Sequence, residues 1–164
     1  MVVLRVASLV VLSLWTGGLA VLGFVAAPAI FNVLGNQAPA GGRELAGLVF
    51  GAVFTRFQSW VWVLGGLLIL LLFARALLGP RPRHLGWRLW TVAGMLAISL
   101  YTAFGLSPHI DRIRRDTSGS ISSLPDTDPV KQEFGRLHGL SNILMLVTLA
   151  GGIGLLAIET TDTH

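Results

Sequence analysis

Of 164 residues, 53% are hydrophobic and 12% carry a formal charge, about half the charged share of an ordinary soluble domain, so the chain reads as an integral membrane protein. The net charge of +4 comes with no basic stripe of interleaved aromatics outside the apolar runs, which excludes nucleic acid as a partner and leaves the usual basic flanks of membrane helices. Cysteine is absent, which excludes disulfides, a thiolate nucleophile and cysteine-ligated metal centres, so that any metal would use His, carboxylate or Met.

The first apolar run, residues 6–34, is interrupted only by neutral polar residues such as Ser8, Ser13, Thr16 and Asn32. Arg5 and the small residues around Ala27-Pro28-Ala29 imitate a secretory leader. The run is nevertheless longer than the roughly 7–15 residues of a leader's apolar core, so it is predicted to be a retained span. Trp15-Thr16-Gly17-Gly18 offers small residues for close helix packing, and Pro28 is expected to kink the helix. The segment 35–42, GNQAPAGG, has turn composition and makes the next helix an antiparallel neighbour.

The second helix is predicted over 43–78. It is longer than one crossing requires, and the uncharged stretch from Phe57 to Ala74 fits the hydrocarbon, which leaves Arg56 at its boundary and Gln58 just inside. Gly47 and Gly51 form a GxxxG pair, a weak sign of helix packing. Arg75, Arg81, Arg83 and Arg88 then crowd a short proline-containing connection without an acid. This density places the connection, and with it both termini, on the cytoplasmic side. Trp87 and Trp90 are interfacial anchors of the third helix, predicted over 86–115, where Pro108 marks a kink or stop and Ile110 and Ile113 keep a helical spacing outside the membrane.

Residues 116–128 read as a flexible loop, with TSGSISSLP at 117–125 the most mobile part. Asp128 followed by Pro129 is a helix start, and the fourth helix is predicted over 129–158 with a polar, frayed tail from Glu159 to His164. The expected fold is thus all-α: a single four-helix transmembrane bundle in up-down-up-down order, with helix extensions outside the membrane on one face.

Antiparallel order brings the ends of spans one and three to the same face as the starts of spans two and four. Asn32, Arg56, Gln58, His109, His138, Ser141 and Asn142 therefore meet at one mouth, and His138, Ser141, Asn142 and Met145 share a stripe of the fourth helix. The opposite face has only the arginine connection and the termini. The reading that follows is a non-enzymatic, cofactor-free membrane protein that binds or passes a small solute or ion, with His138 and Asn142 lining the mouth and Arg56 setting its charge preference. A haem-b or copper-binding redox protein is the alternative, with His138 and His109 as ligands. The remaining alternative is a structural or assembly partner in the bilayer. Four spans are few for a transporter, so a homo-oligomer is expected, with Gly47, Gly51, Ala150 and Gly154 as packing faces. No G-x-S-x-G, H-E-x-x-H or phosphate-binding glycine loop is present, so common hydrolase and kinase chemistry is not expected.

Phe134, Arg136, His138, Gly139, Leu140 and Ser141 form an F-x-R-x-H-G-L-S run, preceded by Asp128-Pro129 and followed by an apolar span. This segment resembles the C-terminal signature of the transmembrane-protein-205-like family, and Trp15, Gly17 and Pro28 resemble its first span more loosely. The resemblance implies a four-span membrane protein and no established catalytic activity. Leu14-Trp15-Thr16-Gly17-Gly18 and Leu137-His138 are distantly similar to the copper-resistance-D and haem-binding protoporphyrinogen-oxidase membrane families. Ser8 stands where those families tend to place a histidine, so their best-known ligand has no equivalent here.

Overall fold

The computed structural model describes residues 2–37, 41–78, 84–117 and 121–161, and among these there is no strand. Helix α1 runs from Val2–Val21 through a π turn at Leu22–Ala26 into Ala27–Gln37. Helix α2 is Gly42–Leu78, α3 runs from Leu85–Tyr101 through a π turn at Thr102–Leu106 into Ser107–Asp116, and α4 is Pro129–Thr161. All four are long and apolar enough to cross a membrane. Each expected span is found, the first starting earlier, at Val2, and the fourth running on to Thr161. The start of α4 follows from Asp128, whose Oδ1 accepts the Val130 N–H at 2.8 Å, an acid cap ahead of a proline that needs no donor.

Helix α1 packs on α2 and α4, and α3 packs on the same two, so the four form a square with α1 and α3 on a diagonal. The centre is apolar and dense. Trp15 is 0% exposed, with Val61, Val92 and Met95 around it nearly as enclosed. Because lipid tails are as apolar as leucine, such a bundle is held by close packing and by polar contacts between helices. Gly152 is the tightest small-residue contact between helices α1 and α4, since a Cβ there would overlap the Thr16 side chain. Within the bundle the GxxxG residues bring no two helix backbones together. A Cβ on Gly47 would stand 2.9 Å from Arg114 Nη2, so Gly47 makes room for a side chain, and the space in front of Gly51 and Gly154 is open.

Neither Pro28 nor Pro108 stops its helix. A helical proline has no N–H and its ring crowds the carbonyl four residues earlier, which is Phe24 for the first and Phe104 for the second. Both carbonyls lie in the middle of a π turn. Ala27 N–H bonds back to Leu22 O, and Ser107 N–H to Thr102 O, each five residues earlier. The extra residue widens the turn before the ring, which is one of the recognised ways a helix absorbs such an insertion. Two helices on a diagonal thus use one solution to pass a proline and continue.

The loop between α3 and α4 is more fixed than its composition suggests. Ile121–Ser123 forms a 3-10 turn with Ile121 buried, and Glu44 Oε1 accepts from the Ser122 backbone N–H at 3.3 Å and from its hydroxyl at 2.8 Å. Lys131 Nζ donates to Leu124 O at 2.7 Å and pairs with Asp126 at 2.8 Å. That ammonium holds the exposed Asp126 carboxyl below its usual range. The most mobile part proposed from composition includes residues 118–120, which lie outside the described residues.

The glycine contacts predict a contrast. Gly152→Ala should destabilise the bundle by about 1–3 kcal/mol through overpacking against Thr16, whereas Gly154→Ala should be neutral. Thermal unfolding of the two variants in the same detergent checks this.

Candidate functional site

The two ends of the bundle are chemically distinct. At the end that carries both termini, Glu159 is 4% exposed and collects three arginines from three other helices. Its Oε1 accepts from Arg75 at 2.6 Å, its Oε2 from Arg88, and Arg5 Nη2 donates to its backbone carbonyl at 2.8 Å. This overturns the expectation that this face holds only the arginine connection and the termini, and that the tail frays from Glu159 onward, since residues 159–161 continue α4 and residues 162–164 lie outside the described residues. The last turn of α4 is pinned by charge. Arg81 and Arg83 lie outside the described residues. The parity rule that gathered the polar residues of the mouth would have found this cluster too: Arg5 begins span one, Arg75 ends span two, Arg88 begins span three and Glu159 ends span four.

Towards the other end of the bundle, the expected site residue Gln58 belongs to the core. It is 5% exposed, and its Nε2 donates to the Ser99 carbonyl at 3.0 Å, while Trp62 Nε1 donates to the Ser99 hydroxyl at 3.1 Å. The Thr102 N–H is shared between Ile98 O and Ser99 O where the π turn of α3 begins. Gln58 therefore satisfies a carbonyl at the irregular turn of α3 and joins α2 to α3.

The other end opens into a cavity of about 1050 Å³. The outer parts of α2, α3 and α4 form its sides, the end of α1 adds Phe31, and the docked Ile121–Ser122 turn helps to close it. Of the residues expected at a mouth, Arg56, His138, Ser141 and Asn142 all line this space. The His138 ring lies parallel to Phe134, with centroids 6.3 Å apart. Asn32 and His109 do not belong to it. Asn32 Oδ1 accepts from Asn36 Nδ2 at 2.6 Å on the surface of α1, and His109 Nε2 is 3.0 Å from Glu133 Oε1 with both side chains about half exposed. The rings of His109 and His138 therefore do not face a common space, and among the described residues no three His, Asp or Glu side chains converge on a point.

The charge of the cavity was only partly anticipated. Arg43, Arg56, Arg114, Arg115 and Lys131 line it against two carboxylates, Glu44 and Asp111. Lys131 is engaged by Asp126, Arg114 stands 3.9 Å from Asp111 and 5.8 Å above the Phe134 ring, and Glu44 is engaged by Ser122. Arg43, Arg56 and Arg115 make no ion pair with a described residue. Part of the same lining is aromatic. Phe31 and Phe50 have ring centroids 6.5 Å apart, and Phe50 and Phe54 stack at 6.1 Å.

A family described as a domain of unknown function, DUF4149, matches residues 10–118. The match spans the first three helices and ends before the F-x-R-x-H-G-L-S run of α4. No curated protein and no solved structure matches the chain.

The cluster at the terminal face yields a prediction about stability. Removing one partner of a buried ion pair costs about 3–5 kcal/mol because it strands the others, so Glu159→Gln should unfold far more readily than the wild type. Arg5→Gln, at a side chain 28% exposed, should cost much less. Denaturant or thermal unfolding in detergent measures both.

Proposed function

The chain belongs to the DUF4149 family, and we propose that this member binds a small organic anion in the cavity at the outer ends of α2, α3 and α4. The observation that carries the reading is the set of three guanidiniums, Arg43, Arg56 and Arg115, that face this space without an acidic partner among the described residues. An arginine near the hydrocarbon boundary is costly unless it reaches water or finds an anion, and a planar guanidinium suits a carboxylate, sulfonate or phosphate. His138, Ser141 and Asn142 supply neutral hydrogen-bonding groups to the same ligand. The resemblance of α4 to transmembrane-protein-205-like proteins, which have no established catalytic activity, agrees with a binding role.

Binding is favoured over passage by what lies below. Trp15, Val61, Val92 and Met95 are at most 2% exposed, so the bundle axis is filled with side chains beneath the cavity. The protein would hold its ligand at one membrane face.

A fluorescent organic anion, anilinonaphthalenesulfonate, and its uncharged relative N-phenylnaphthylamine separate this reading from simple greasiness. With the protein in nanodiscs of zwitterionic lipid, the anion should show a saturable component above empty nanodiscs that weakens with salt. Arg56→Gln and Arg115→Gln should each weaken it about tenfold, the equivalent of ~1.4 kcal/mol, and leave the uncharged dye unchanged. His138→Ala should lower anion affinity with little loss of thermal stability. A loss of stability in its place would support the structural role for His138, and anion binding indifferent to all three substitutions would defeat the proposal.

A further inference from the structure

We infer that the anion held in this cavity is an amphiphile, a long-chain acid with its head on the arginines of α2 and α3 and its tail along the aromatic wall of α1 and α2. The inference rests on the anion reading and adds the chemistry of the rest of the ligand. Three observations carry it.

The first is the mixed lining. Arg43, Arg56, Arg114 and Arg115 provide charge, whereas Phe31, Phe50 and Phe54 form a continuous apolar ladder along α1 and α2 in the same space. A small hydrophilic anion would leave this ladder facing water, and a neutral lipid would leave the guanidiniums without a counter-charge. Only a ligand with both parts satisfies both kinds of lining.

The second is space. The cavity, at about 1050 Å³, lies at the upper end of the range of roughly 300–1,000 Å³ that suits drug-sized ligands. Its lining includes Gly51, and no other side chain or helix lies within 4 Å of where a Cβ would stand there. The glycine of a supposed packing motif thus leaves room beside the aromatic ladder, where a chain can lie.

The third is depth. From Arg75, in the ionic cluster at the far face, to Arg56 along α2 is about 28 Å at 1.5 Å per residue, close to the thickness of a hydrocarbon core. Arg56 therefore marks the boundary, and the cavity extends outward from it towards Arg43, so an acid head on Arg56 rests at the level of the lipid headgroups and the tail is sheltered from water by the aromatic ladder.

Photo-crosslinking in phosphatidylcholine nanodiscs tests this. Three diazirine probes are compared: a sixteen-carbon carboxylic acid, the sixteen-carbon alcohol and a four-carbon acid, with adducts located by peptide mass spectrometry. The long acid should label residues 44–56 or 134–145 at least tenfold more than either other probe, and unlabelled palmitate should compete where palmityl alcohol does not. Gly51→Phe, which fills the space beside the ladder, should reduce labelling at least tenfold with the melting temperature unchanged. Should that variant fold poorly, the smaller Gly51→Leu serves, and the palmitate competition stands without any substitution. Equal labelling by the short acid would overturn the amphiphile and leave the anion site standing. Equal labelling by the alcohol, or no labelling within the cavity, would overturn both.

Discussion

The carboxylate of Glu159 is the constraint on which the rest of the bundle depends. Its two oxygens hold Arg75 of α2 and Arg88 of α3, and the backbone carbonyl of the same residue takes Arg5 of α1, so four helix ends are fixed at one level by a single residue. Charges taken out of water are expensive, and their mutual attraction offsets the cost only when geometry is good and partners are complete. That requirement gives the cluster its specificity: a helix shifted by one turn, about 5.4 Å, would leave guanidiniums buried without the carboxylate. With the register set there, the positions of Arg56 and His138 at the opposite face follow from helix rise alone.

The far ends of the helices are not bound in this way, and that difference makes the cavity. Above the layer in which Gln58 reaches Ser99, the outer parts of α2 and α3 diverge, and the space between them is bridged by the Arg114 side chain beside Gly47 and by the Ser122–Glu44 contact. The proline-associated π turns of α1 and α3 lie below this region. A bundle tied by ions at one end and parted at the other separates the ionic cluster that fixes the helices from the face that carries the cavity.

Much of the fold was legible in the sequence because membrane helices are specified by long apolar runs, turn composition and an acid-proline cap. The mouth was legible in part. Parity correctly assembled Arg56, His138, Ser141 and Asn142, since depth along a helix can be counted from sequence. Rotation about the helix axis was the missing quantity: Gln58 turns inward to Ser99, whereas Asn32 and His109 turn outward to Asn36 and Glu133. That Gly47 faces the Arg114 side chain was hidden for the same reason, as a motif gives spacing without saying what stands opposite. Glu159 was missed because a charged residue near a terminus reads as solvated tail until its depth is compared with Arg5, Arg75 and Arg88.

The central claim is that the cavity holds an anionic amphiphile, and the material that accompanies the protein out of the membrane speaks to it most directly. Native mass spectrometry of the protein released from nanodiscs formed directly from cell membranes should find a single-headed anionic amphiphile retained at close to one per chain, and absent from Arg114→Gln. Retention of nothing, or only of bulk phospholipid in the proportions of the surrounding membrane, would contradict the account.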